Sequence, residues 1–201
     1  EIGLDENYKI EIINSTEKIK REKYVQYLYK KLQRDGQLER DVDRLVRNDR
    51  IAWGSSMIAC NDADAMVTGN IRHYAASIEK LKKVVDSRPG EEIFGMTMMV
   101  SKGKTILVAD TNVVDFPTAE RLANVSTSCV RVARLFGFEP KVAFLSHSTF
   151  GKPVSKNTKH VRDAIELLKT KKVDFDFDGE MQPDVALNPI YQDVYPFSKI
   201  V

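Results

Sequence analysis

Tyr24, Tyr27, Leu28 and Leu32 recur at intervals of three and four residues in an otherwise charged stretch. That spacing lines up one face of a helix and predicts one over 16–33, stopped near Gly36. LERDVDRLVR predicts a second helix over 38–47, and IAWGSSMIAC a third over 51–60, apolar and rich in small residues. Trp53, Met57 and Ile58 form its apolar stripe, a core face. YKIEII alternates and predicts a strand over 8–13; AMVTG predicts a short buried strand over 65–69, with a helix following over 72–85.

The second half alternates more plainly. FGMTMMV and TILVA flank Lys102-Gly103-Lys104, the signature of a hairpin joining strands 94–100 and 105–109. Thr118 precedes a long helical pattern over 119–136, although Arg121 cannot complete a capping box with it. VAFL predicts a buried strand over 142–145, a helix runs over 156–170, and Val173, Phe175 and Phe177 alternate with acids as in a strand. Strands alternating with helices of this length imply an α/β fold with a largely parallel sheet. Ligands of such sheets sit at the carboxyl ends of strands. Three polar loops qualify: Asp110-Thr111-Asn112, 146–152 and 178–182, each following an apolar strand and together outlining one cleft.

The acid run adds a competing reading. Asp174, Asp176, Asp178 and Gly179 match the first half of an EF-hand calcium loop. Its twelfth place, which needs a bidentate glutamate, is Val185, so the strand period decides and no metal site is assigned.

Composition narrows the function classes. The chain has 201 residues, 42% hydrophobic and 30% charged, enough for one sizeable core or two small lobes. Its 31 basic against 29 acidic residues give a net charge of +2, no electrostatic case for a nucleic-acid or membrane partner. No apolar run approaches the ~20 residues of a bilayer span and no signal-peptide pattern opens the chain. Cys60 and Cys129 lie in apolar helical sequence without a C-x-x-C pair, which reads as two reduced thiols of a cytoplasmic protein. The start at Glu1 without methionine and the apolar turn before Val201 suggest a piece of a longer polypeptide.

LVADTNVVDFPTAE, FLSHSTFGKPVSKNTKHVRDAIELL and DFDGEMQPDVALNP occur in this order at the spacing of one family. Together they resemble the phosphate acetyl/butyryltransferases. With GMTMMV, DADAMVTG and YPFSK, they look most like the C-terminal phosphotransacetylase-like region of large bacterial NADP-dependent malic enzymes. The likeness runs from about residue 33 to 201 and is strongest in the second half. It implies a three-layer αβα, two-lobed fold with a mainly parallel sheet: residues 1–90 as part of a first lobe, 91–201 as a second lobe truncated at its end. It also implies a cleft for acyl-CoA and acyl phosphate.

Active members of the family carry an arginine after the strand-glycine step, where this chain has Glu79, and a second near Lys30 and Lys31. A carboxylate repels an acyl phosphate, and lysine lacks the bidentate fork of arginine. The resemblance therefore implies a non-catalytic region that binds acetyl-CoA as effector, holds a homo-oligomer and inhibits malate oxidation. The NADP and divalent-metal sites would lie in upstream malic enzyme domains. Helix 51–60 is where a subunit contact would be sought. A working phosphate acetyltransferase and a purely structural dimerisation module are the alternatives.

The candidate ligand residues are Ser146, Ser148, Thr149 and Lys152, hydroxyls and an amine at a strand end, with Gly151 allowing close backbone approach. A turn capped by the same hydroxyls is the competing reading. Asp178, Glu180 and Gln182 either orient the ligand or lock their loop to a neighbouring helix, and Asp110 and Thr111 stand alike. His147 has no carboxylate or cysteine partner in sequence and is not assigned as a base; His73 and His160 fall among charged helix residues.

Overall fold

The structure is a computed structural model that describes residues 10–15, 17–69, 71–111 and 113–200. It divides into two compact units, Glu1–Asp86 and Ser87–Val201.

The described part of the first unit is helical: α1 (Lys18–Leu32), α2 (Glu39–Asn48), α3 (Arg50–Ala59) and α4 (Tyr74–Val84). The helical spacing on α1 buries Tyr24, Leu28 and Leu32 against Val42, Val46, Trp53 and Val84. The Tyr24 ring meets Trp53 edge-on at 5.0 Å between centroids. Trp53 thus belongs to the core of its own unit. Gly36 turns α1 into α2 with φ of 80°, a left-handed conformation that glycine adopts without a Cβ penalty. Asp49 caps α3, its Oδ1 accepting from the amides of Ile51 (2.9 Å) and Ala52 (3.2 Å). At the C-terminal end of α4 the Val84 carbonyl accepts from Tyr27 Oη and Lys31 Nζ, both at 3.1 Å.

Both strands expected in this unit are corrected. Residues 65–69 are irregular and Val67 is fully exposed; 10–13 are irregular with Ile12 exposed, while Tyr8 and Lys9 lie outside the described residues. A strand leaves its backbone groups unmet without a neighbour, and the described residues of this unit contain no other strand to pair with.

The second unit holds β1 (Met96–Ser101), β2 (Lys104–Ala109), α5 (Ala119–Leu135), β3 (Val142–Leu145), α6 (Lys159–Lys171), β4 (Phe177–Met181) and α7 (Pro183–Leu187). β1 and β2 form the predicted hairpin, with Lys102 and Gly103 at positive φ as a tight two-residue turn requires. Thr118 caps α5 by itself, Oγ1 accepting from the Arg121 amide at 3.2 Å. β3, α6 and β4 make a crossover unit in which β3 and β4 pair in parallel. α5 and α6 pack beside this ladder over a core of Ala123, Val130, Phe144, Val161, Ala164, Ile165, Leu168 and Phe175. The α/β class is realised here, with one antiparallel and one parallel two-stranded ladder among the described residues.

The acid run is shifted from its expected place. The alternation of Val173, Phe175 and Phe177 does aim these side chains at the core. Ladder pairing starts only at Phe177, because β3 reaches no farther back than the bond from the Val142 amide to the Asp176 carbonyl (2.9 Å). Residues 178–181, expected as a loop, are therefore the strand itself. Asp174 is paired with Arg134 at 2.9 Å.

Gly179 sits opposite Phe144 with φ of 142°, where a Cβ would lie 2.7 Å from the Phe144 carbonyl oxygen. Gly179→Ala is expected to destabilise this unit by about 2 kcal/mol through strain and overpacking. Denaturant unfolding measures it; an unchanged midpoint would show that the strand has room to shift.

Candidate functional site

Beyond β3 the chain enters the loop 146–152, which is stitched to β4 along its length. The Ser146 amide donates to the Met181 carbonyl (2.9 Å) and the Phe150 amide to the Glu180 carbonyl (2.7 Å). Between these two, the Ser148 hydroxyl donates to Glu180 Oε1 at 2.6 Å. Ser148 and the Glu180 side chain are fully buried. The loop closes on itself where Thr149 and Lys152 exchange backbone bonds of 2.8 and 3.0 Å around Phe150 and Gly151, both at positive φ. Gln182, just past β4, donates its side-chain amide to the His147 carbonyl (2.7 Å) and its backbone amide to Thr149 Oγ1 (3.3 Å).

A buried carboxylate is tolerated only when paired and hydrogen-bonded. Glu180 meets that condition through Arg162 on α6, whose Nη1 donates to both carboxylate oxygens at 2.8 and 3.1 Å. Thr158, one turn earlier, adds a 3.4 Å bond to Oε1 and accepts from Arg162 Nη1 at 2.8 Å. Glu180 thus locks its strand and the loop to a neighbouring helix. Asp178 points elsewhere: its Oδ2 accepts from the Lys199 amide at 3.1 Å, and the Phe150 ring packs on Tyr195 (5.2 Å) and Phe197 (4.8 Å). A C-terminal segment is thereby fastened against the loop.

Ser146, Ser148, Thr149, Lys152, Glu180 and Gln182 come together around one loop. Asp110 and Thr111 form a separate group. The Asp110 side chain, 5% exposed, accepts from the Gly95 amide (2.8 Å) and from Arg121 Nη2 (2.7 Å), and the Thr111 amide returns to the Gly95 carbonyl (3.0 Å). Arg121 also binds Glu92 and the Ile93 carbonyl. Burial opposes the Arg121 charge, but Asp110 and Glu92 outweigh it and raise its pKa. Burial, with the Asp110 charge adding, pushes the Cys129 thiol up to about 12, so it is no nucleophile. Among the described residues no hydrogen bond joins this group to loop 146–152; Asn112 lies outside them.

The loop presents donors of two kinds. Lys152 is exposed and forms no ion pair among the described residues, and Thr149 Oγ1 accepts from Gln182 while keeping its own hydrogen to give. Ser148 has spent its hydrogen on Glu180. The arrangement suits an anion or a polar acyl chain at Thr149 and Lys152 more than at Ser148.

In the first unit Asp49 is buried and salt-bridged by Arg72 (2.6 Å) and Lys80. Glu79 is exposed and pairs with Lys83 at 3.0 Å. Lys31 reaches Asp86 at 2.8 Å as well as the Val84 carbonyl.

Sequence reasoning passed over Arg162, Thr158, Arg121, Glu92 and the Asp49 cluster. A signal existed for Arg162: it follows Val161 in the apolar series Val161, Ile165, Leu168, so its stem borders the core face. Nothing in spacing alone names Glu180 as its partner.

The model of the phosphate acetyl/butaryl transferase family matches residues 1–200. An NADP-dependent malic enzyme of Rhizobium meliloti (strain 1021) is 41% identical over 199 residues, 98% of this chain and 26% of the relative. A phosphate acetyltransferase of Nitratidesulfovibrio vulgaris is 29% identical over 189 residues, 94% of this chain and 27% of the relative. The chain spans about a quarter of the length of both these relatives. The crystal structure of a phosphotransacetylase from Streptococcus pyogenes superposes with a TM-score of 0.79 at 24% identity, covering 93% of this chain and 57% of that one, which speaks for the fold.

Asp49 yields a pH prediction. Burial pushes its carboxyl up, but bonds from Lys80, Arg72 and the Ala52 and Ile51 amides more than reverse this and hold it at about 2. A depressed carboxylate pKa gives stability that is complete above the unfolded value near ~4 and is lost as pH falls through the folded one. The first unit should lose on the order of 2 kcal/mol between about pH 4 and pH 2. Asp49→Asn should flatten that part of the unfolding free-energy profile; an unchanged acid limb would refute the assignment.

Proposed function

The chain belongs to the phosphate acetyl/butaryl transferase family, and from that premise we propose that it is the phosphotransacetylase-like region of an NADP-dependent malic enzyme. In this reading it binds acetyl-CoA at the 146–152 loop, helps hold a homo-oligomer and transfers no acetyl group itself. The parent polypeptide is a cytoplasmic oxidoreductase that converts malate to pyruvate, with its NADP and divalent metal held in upstream domains. The observation that carries the reading is the 41% identity to a malic enzyme across 98% of this chain.

Chemistry supports the non-catalytic part. Acetyl transfer to phosphate needs cations on the phosphate and a group to take the thiol proton. Glu79, at the position the family gives to arginine, is exposed and paired with Lys83. Asp110 and Glu180, the buried carboxylates of the second unit's candidate groups, are both committed to arginines. No helix among the described residues is long and apolar enough to cross a membrane.

The second reading, phosphate acetyltransferase activity, is favoured by the Nitratidesulfovibrio vulgaris relative. Titration calorimetry of the complete polypeptide with acetyl-CoA separates the readings. Saturable binding with a Kd of roughly 1 mM or tighter and inhibition of malate oxidation are expected, with Lys152→Ala weakening binding by about tenfold, ~1.4 kcal/mol. No heat at millimolar ligand would overturn the sensing role and leave a structural oligomerisation module. Acetyl phosphate formation from acetyl-CoA and phosphate would establish the transferase.

A further inference from the structure

Two hydroxyls of loop 146–152 and one carboxylate of β4 lie in a chain that ends on α6. The Ser146 and Ser148 hydroxyls are 3.3 Å apart, Ser148 donates to Glu180, and Glu180 is gripped by Arg162. The carboxylate sets the direction of this chain. An ionised carboxylate accepts only, so Ser148 must be the donor to it, and Ser146 must then be the donor in the contact between hydroxyls. Arg162 anchors the far end twice, through Glu180 and through the Ser155 carbonyl at 3.3 Å.

We infer that Arg162, Glu180 and Ser148 form a positioning relay through which α6 fixes the middle of the acetyl-CoA loop. The inference rests on the proposal that this loop binds acetyl-CoA. Among the described residues, backbone–backbone bonds from the loop to β4 fall at Ser146 and Phe150, and the exposed Gln182 just past β4 adds bonds to His147 and Thr149. Midway between them, Ser148 makes a side-chain tie in which both partners are buried, unlike the exposed bonds of Gln182. Ser148 is fully buried, so it acts on a ligand through its neighbours Thr149 and Lys152. Arg162 is different: its side chain is 38% exposed, so its charge and reach can be altered without emptying the core.

The test uses the complete polypeptide and reads two quantities, amide hydrogen exchange of residues 146–152 without ligand and the Kd for acetyl-CoA. Ser148→Ala and Arg162→Ala are expected to speed exchange of the loop and to weaken acetyl-CoA, each by about tenfold, with the β1–β2 hairpin unchanged. Arg162→Lys restores a charge beside Glu180 and should recover most of both effects, whereas Arg162→Met, which keeps an apolar stem without the charge, should recover neither. Loop exchange and Kd within about twofold of the unaltered protein in Ser148→Ala would overturn the relay. So would an Arg162→Lys protein no better than Arg162→Ala. If Arg162→Ala fails to fold, Ser148→Ala decides, since it removes a single oxygen. If the unaltered protein gives no heat with acetyl-CoA, the functional proposal falls, and the exchange of the loop still decides the relay.

Discussion

A carboxylate without solvent exposure sets the terms for the second unit. Glu180 stands on β4 at the point where the parallel ladder gives way to the polar loop. Burying an unpaired carboxylate costs several kcal/mol, so β4, α6 and the loop can coexist only in the arrangement that brings Arg162, Thr158 and Ser148 to it. One group thereby ties together a strand, a helix and a loop that are far apart in sequence. Its backbone contributes too, since the carbonyl of the same residue receives the Phe150 amide.

The same device recurs. Asp110 is buried at the end of β2 and joined to Arg121 on α5, which also reaches Glu92 and a backbone carbonyl. Asp49 is buried at the start of α3 and joined to Arg72 and to Lys80 on α4. In each case an acid at the end of one element is satisfied by a cation from another helix or its approach. Each of these carboxylates also accepts a backbone amide or a hydroxyl, which uses its remaining lone pairs. Such pairs add little net stability over apolar contacts, but they penalise every arrangement that separates them. They suit a protein whose polar loops must hold a defined shape.

Much of this architecture is legible in the sequence where side-chain period and turn chemistry act locally. The hairpin around Lys102 and Gly103 forms as its turn residues demand, and VAFL is β3 residue for residue. The helices fall within a few residues of their apolar patterns. The failures share one cause. AMVTG and YKIEII have strand-like patterns, but pairing depends on a neighbour that no local window contains. At 173–181 the alternation tells which side chains face the core and not where β3 pairs, so the strand lies four residues later than the pattern suggests. For the candidate site, the loop residues are legible from their place after a strand. Their partners are not: the long-range bonds from Glu180 to Ser148 and Arg162 span 32 and 18 residues, and no spacing rule reaches that far.

The shape of loop 146–152 depends on Arg162 and Glu180 acting as a unit. A double-mutant cycle of Arg162→Ala and Glu180→Gln, followed by denaturant unfolding, measures this directly. Each single change is predicted to cost about 2–3 kcal/mol, and the pair together at least ~1 kcal/mol less than their sum. Costs that add to within about 0.3–0.5 kcal/mol would contradict it, because two residues that do not sense each other cannot fix the loop between them.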